Sequence, residues 1–164
     1  ILSSAASDVY KRQFLYSTYQ KILYSHLSKS TNDDIKAIAL KSIKEVDYHF
    51  KHSRAWVLRL GDGTQESKVK IQDSIYELWR FTGEMFESDD VENNLISENI
   101  ISASNTYHDE WLKIVKDTLK DALLTEPENV VMLSGGKKGL HTEKLGFMLA
   151  EMQYLPRTYP NAKW

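Results

Sequence analysis

The chain contains no cysteine, which excludes thiolate metal sites, iron–sulfur clusters, cysteine nucleophiles and disulfides at one stroke. Proline is scarce too: there are three in 164 residues and none before Pro127, so nothing of that kind interrupts a helix upstream of it. No uncharged apolar run approaches the ~20 residues that a membrane helix needs. No segment reads as a secretory signal peptide, and the expected compartment is the cytoplasm. An excess of positive charge is also missing. The 21 Lys and Arg against 23 Asp and Glu give a formal net charge of -2, unlike a protein held to nucleic acid by phosphate contacts. What is present is 41% hydrophobic and 11% aromatic residues, enough to bury the core of one soluble domain.

Ser3 to Gln13 read SSAASDVYKRQ, with neither a core pattern nor turn logic. The run is identical to an in-frame translation of a transposase-based sequencing adapter. Residues 1–13 are therefore expected to be a non-native tail, and residues 14–164 a domain whose own N-terminus is missing.

Helical periodicity organises residues 14–164. Phe14, Leu15, Tyr19, Ile22, Leu23 and Leu27 form the apolar face of a helix over 14–27, or the end of a longer one. Ser28 to Asn32 make a polar break, and Asp33 or Asp34 is placed to cap the next helix. Ile35, Ile38, Ala39, Ile43, Val46, Phe50, Val57 and Leu60 then recur at steps of three and four, over a helix of ~40 Å. Gly61-Asp62-Gly63 reads as its stop, through a left-handed glycine. Thr64 is expected to cap a third helix, with Glu66 in its first turn, carrying Val69, Ile71, Ile75, Leu78, Trp79 and Phe81 as far as Gly83. Residues 88–104 read as an acidic connection with a short helical turn. A fourth helix opens at Asn105 or Thr106 and carries Trp111, Ile114, Val115, Leu119 and Leu123. A last one runs from about Thr142 until Pro156 ends it. With no alternating segment, the fold class is all-α, most simply an antiparallel helical bundle.

Such bundles raise di-iron carboxylate chemistry first, where Glu-x-x-His puts a carboxylate and an imidazole on one helix face. None of the five histidines passes that test: the residues three before His26, His49, His52, His108 and His141 are Leu23, Val46, His49, Asn105 and Lys138. The nearest approach is Glu45 with His49, joined by His52 one turn on. One reading makes the three a metal site, and the other, preferred, pairs Glu45 and His49 with neighbouring polar groups inside the bundle. No nucleophile elbow and no phosphate loop of the P-loop type occurs. Gly135-Gly136-Lys137-Lys138-Gly139 is the single candidate anion site, from its glycines, two lysines and a helix start downstream; the alternative is a solvated basic loop. Trp56, Trp79, Phe81 and Trp111 are expected to be core or interface anchors.

Three runs carry a resemblance. Trp56 to Thr64 reads WVLRLGDGT and Leu78 to Phe86 reads LWRFTGEMF. Gly135 to Glu143 reads GGKKGLHTE and continues through Leu145-Gly146 and Ala150 to Leu155. Together with Lys44 to His49 they resemble, in order and over essentially all of 14–164, the PaaC subunits of phenylacetyl-CoA epoxidase complexes. The resemblance implies a ferritin-like bundle, partial here because about the first third of a full-length member would be absent. It also implies a structural, non-catalytic role in aerobic phenylacetate degradation. In such complexes O₂ and reducing equivalents from NADPH, passed through a reductase subunit, serve epoxidation of the aromatic ring. The di-iron centre belongs to the related catalytic subunit, PaaA, which is the implied partner, with the other epoxidase subunits and neither nucleic acid nor membrane. No catalytic or metal residue is carried over to this chain, and Lys137 and Lys138 are the candidate contacts for CoA phosphates. The competing reading is a ferritin-like di-iron oxygenase, or metal-binding bundle, active in its own right.

Overall fold

Ser28 to Asn32 turn the chain between two long helices, α1 (Leu2–Leu27) and α2 (Asp33–Gly61). The structure, a computed structural model, describes residues 2–163, and the side chains from Lys11 onward. Most of the expected 1–13 tail, and Trp164, therefore lie outside the described side chains. α1 runs without a break through the expected boundary between residues 13 and 14. Just before that boundary Lys11 is buried, its Nζ donating to the Lys70 carbonyl at 2.9 Å and to the Ser74 hydroxyl.

α2 is capped one residue earlier than the sequence suggests. Asn32 Oδ1 accepts from the free amides of Asp34 at 3.1 Å and Ile35 at 3.0 Å, which leaves Asp33 and Asp34 to complement the helix dipole from inside the first turn. α2 folds back along α1, with Phe14 stacked on Phe50 and Lys21 bonded to Asp47. It ends at Gly61 as expected, but not through a left-handed glycine: Asp62 closes it at φ -91°. Gly61 is small for another reason. A Cβ there would stand 2.2 Å from the Ala122 carbonyl oxygen, so this end of α2 can touch the chain near Ala122 only without a side chain.

Thr64 Oγ1 accepts from the Ser67 amide and starts α3 (Gln65–Trp79), as predicted. A 3-10 turn at Gly83–Phe86 comes next. The acidic connection then holds a full short helix, α4 (Asp90–Ser97), closed by a reciprocal capping box between Asp89 and Glu92. A second 3-10 turn at Ser104–Tyr107 leads into α5 (His108–Asp121).

α1, α2, α3 and α5 enclose the core. Phe14, Leu15 and Ile22 come from α1, Val57 from α2, Ile71, Ile75 and Trp79 from α3, and Trp111, Val115 and Leu119 from α5. Each such side chain contributes roughly 1.5–3 kcal/mol when fully buried. Trp111 is the keystone: its Nε1–H donates to the Leu15 carbonyl at 3.0 Å, and its ring meets Trp79 at 5.6 Å and Phe86 at 5.4 Å. Trp79 and Trp111 are thus core anchors, while Trp56 is half-buried and Phe81 exposed.

Residues 134–164 form a second compact unit, distinct from the unit 1–133. It holds a 3-10 turn at Gly136–Lys138, α6 (Lys144–Met152) and α7 (Tyr154–Thr158). Pro156 does not end a helix, contrary to expectation. It sits in the first turn of α7, where a missing N–H costs nothing. Among the described residues there is no strand, and no helix is long and apolar enough to cross a membrane.

Candidate functional site

In a four-helix carboxylate bundle the reactive centre lies between the helices, so the interior polar groups of α1, α2, α3 and α5 come first. Apart from Lys11 and the Trp111 indole N–H, which donate to the Lys70 and Leu15 carbonyls, those that are buried include hydroxyls that their own helices consume. Thr18 Oγ1 donates to the Phe14 carbonyl at 2.7 Å, Ser53 Oγ to the His49 carbonyl at 2.7 Å, and Thr118 Oγ1 to the Ile114 carbonyl at 2.9 Å. Among the described residues no buried side-chain nitrogen or oxygen lacks a partner, so no polar atom waits for a ligand inside.

Val46 stands where Glu-x-x-His would need its carboxylate, and it is buried and apolar. The residues around that sequence position face outward. Glu45, His49 and His52 are all exposed on the solvent side of α2, which corrects the expectation that Glu45 and His49 pair inside the bundle. The rings there meet Tyr48 instead: His52 stacks on it with centroids 5.9 Å apart, and His49 lies edge-on at 5.6 Å. Among the described residues no group of three or more His, Asp or Glu could hold a metal ion. The donor set does not fit a di-iron centre.

Charged groups cluster instead along the edges of the helix seams. Asp47 accepts from Lys51 at 2.6 Å within α2 and from Lys21 of α1 at 2.9 Å, and these two bonds, that of Lys51 foremost, hold its carboxyl below the usual range. Lys21 also lies 4.5 Å from the centre of the Phe50 ring. Arg54 ties α2 to α5, with Nε donating to Thr118 Oγ1 at 3.1 Å and Nη2 to Asp121 at 2.9 Å. Sequence reasoning missed this clasp, because its partners lie more than sixty positions away and no local spacing announces them.

At the other end of the core Tyr19 packs edge-on against Phe86 at 5.5 Å. Burial, seconded by the charge of Glu92, pushes its phenol up to about 12. Tyr107 is raised by burial as well, against the opposing effect of its 2.8 Å hydrogen bond to the Ser102 carbonyl.

In the unit 134–164 the glycine loop does take left-handed backbone: Gly135 has φ 107° and Gly139 φ 84°, and the Leu140 side chain closes over Gly135. Its amides point inward. Lys138 N–H donates to the Gly135 carbonyl, Gly139 N–H to that of Gly136 and Leu140 N–H to that of Gly135. An anion would therefore meet the exposed Lys137 and Lys138 rather than a ring of backbone N–H groups. α6 begins only at Lys144, behind the carboxylate-bearing Glu143.

The chain matches the family described as phenylacetic acid catabolic protein over residues 7–164. It is 41% identical over 158 residues to the C subunit of the 1,2-phenylacetyl-CoA epoxidase of Escherichia coli (strain K12), an alignment covering 96% of this chain and 64% of that relative. The chain thus spans somewhat under two thirds of the length of the curated relative it matches. A ferritin-like helical bundle with a largely apolar interior, this chain belongs to the family of phenylacetic acid catabolic proteins.

Proposed function

We propose that this chain is the structural, non-catalytic subunit of a phenylacetyl-CoA epoxidase, and that it binds and supports a PaaA-type catalytic bundle in aerobic phenylacetate degradation. The observation that carries the reading is the bundle interior. The buried hydroxyls of α1, α2 and α5 are bonded within their own helices, the buried Lys11 ammonium and Trp111 indole N–H are spent on backbone carbonyls of neighbouring helices, and Val46 takes the place of a carboxylate. A bundle built this way can lend shape and rigidity to a neighbour, while the di-iron centre belongs to the catalytic partner and electrons from NADPH reach it through a reductase subunit. The relative's name, a lettered subunit of an epoxidase, supports the same assignment.

The test is co-expression with the catalytic subunit from the same source, followed by metal analysis of each separated chain. A stable complex with about two irons on the partner and none on this chain is the expected result. Two irons on this chain, with turnover in the partner's absence, would overturn it. In the same reading Lys137 and Lys138 meet the phosphates of CoA as point charges, which is supported by their adjacency and exposure. Lys137→Ala with Lys138→Ala should weaken CoA-ester binding by the complex about tenfold, the loss of one or two phosphate contacts. An unchanged affinity removes the lysines from the site.

A further inference from the structure

The aromatic rings of the core touch in sequence, not only in pairs. Centre to centre, Trp79 lies 5.6 Å from Trp111, Trp111 5.4 Å from Phe86, Phe86 5.5 Å from Tyr19, and Tyr19 6.3 Å from Tyr16. The rings come from α3, α5, the 3-10 turn at Gly83–Phe86 and α1, so only tertiary packing lines them up. Such contacts stabilise a core by themselves. The order along the series adds something else. Its inner members are buried, Trp111 at 1% and Tyr19 at 9% exposure, whereas Tyr16 is 49% exposed.

Redox chemistry gives that order a direction. In a chain without cysteine, Trp and Tyr are the side chains that give up single electrons most readily. Electron transfer falls off exponentially with separation, so rings in contact pass an electron on before a radical attacks its surroundings. An oxidised ring becomes a trap once its proton leaves. The Trp111 indole N–H is bonded to the Leu15 carbonyl at 3.0 Å, an acceptor that does not take up a proton. A hole on Trp111 therefore stays mobile. Tyr19 is no trap either, because burial, and after it the charge of Glu92, push its phenol up to about 12. Tyr16 is the one tyrosine of the series that stands in water, which accepts a phenolic proton.

We infer that Trp79, Trp111, Phe86, Tyr19 and Tyr16 form a relay that drains one-electron oxidation from the core to the surface. A one-electron oxidant, such as a photogenerated metal complex or a high-valent metal–oxygen species, takes an electron from Trp111 and is reduced. Tyr16 supplies the replacement electron through Tyr19 and the Phe86 ring, and its hydroxyl proton passes to water. Trp111 is thereby restored, and Tyr16 is left as a neutral phenoxyl radical. A thiol or ascorbate in solution returns it to the phenol by donating one hydrogen atom. The relay belongs to this chain alone and does not rest on the proposed epoxidase role, so either reading can fail without the other.

The lack of cysteine supplies the test, since His108→Cys offers a single thiol for a ruthenium polypyridyl photo-oxidant. The replaced ring lies 6.5 Å from Trp111 and 5.0 Å from Phe86. Flash excitation of the labelled full chain, with an electron acceptor in solution, turns the label into its oxidising form. Transient absorption and freeze-quench electron paramagnetic resonance should then show an indolyl radical giving way to a tyrosyl radical. Tyr16→Phe should prolong the indolyl radical at least ~tenfold and remove most of the tyrosyl signal. Phe86→Leu keeps an apolar side chain but removes the bridging ring, and should slow the transfer by a similar factor with helicity unchanged. Tyr24→Phe, on the same helix but outside the series, should alter neither signal. A tyrosyl signal that survives Tyr16→Phe overturns the inference. So does a transfer rate indifferent to Phe86→Leu, an indolyl radical that never leaves its ring, or an equal effect of Tyr24→Phe.

Discussion

Tyr19 shows how a single buried group sets a limit on the fold. Its phenol titrates near 10 in the unfolded chain, but is held up to about 12 where it packs against Phe86 with Glu92 nearby. A group whose folded value is raised contributes stability that is intact below the unfolded value and lost as pH climbs through the folded one. The window is therefore pH ~10–12. Across it the protein should lose up to ~1.4 kcal/mol per pH unit more than Tyr19→Phe, which keeps the ring and removes the proton. Urea unfolding at a series of alkaline pH values measures this, and equal slopes for the two proteins would refute it. Asp47 works in the opposite sense: its lowered carboxyl contributes above the unfolded value near 3.9 and is lost as pH falls through the folded one. The sequence already marks Tyr19 as a member of an apolar face. The charge beside it is out of reach of such a reading, since Glu92 lies far along the chain on another helix.

At the scale of the element, composition announces where helices start and stop but not what each terminus must fit. The glycine pair after Leu60 correctly marks the end of α2, yet neither glycine there takes a left-handed conformation. The reason for Gly61 is contact with residue 122, invisible without the packing. Gly61→Ala forces a Cβ to 2.2 Å from the Ala122 carbonyl, a backbone atom that cannot rotate aside. The expected cost is about 2 kcal/mol for an overpacked contact, or a melting temperature lower by roughly 4–8 °C in a chain of this size. Calorimetry of the two proteins decides it, and an unchanged or higher melting point would mean that the two ends part freely. The opposite case is α4, which local rules do encode: Asp89 and Glu92 stand three apart as a capping box requires, a signal easily submerged in an acidic stretch. Pro156 misleads for a related reason, because a proline that would stop one helix can equally sit in the first turn of another.

For the whole molecule, the all-α class was legible because helical period and scarce proline agree over more than a hundred residues, and such agreement outweighs any one position. The candidate site was legible chiefly by subtraction. The histidine spacing already lacks Glu-x-x-His, but only the fold shows that Glu45 and His49 face outward while Val46 faces in. The interior is also apolar on every surrounding helix, through Phe14, Ile22, Val57, Ile75 and Val115. Among the described residues the interior thus gathers no metal-donor set, which is a property of the whole packing, and one substitution should not supply it. Val46→Glu recreates Glu-x-x-His with His49, yet it drives a carboxylate into the core with no second ligand near. The variant should lose about 3 kcal/mol or more near neutral pH. That deficit should shrink as pH falls toward ~4, where the unfolded carboxylate is protonated too and the penalty for ionisation vanishes. Its iron content after reconstitution should match that of the parent chain. Stoichiometric iron uptake by this single variant would mean that the other ligands were already in place, and that the bundle is a metal site awaiting one carboxylate.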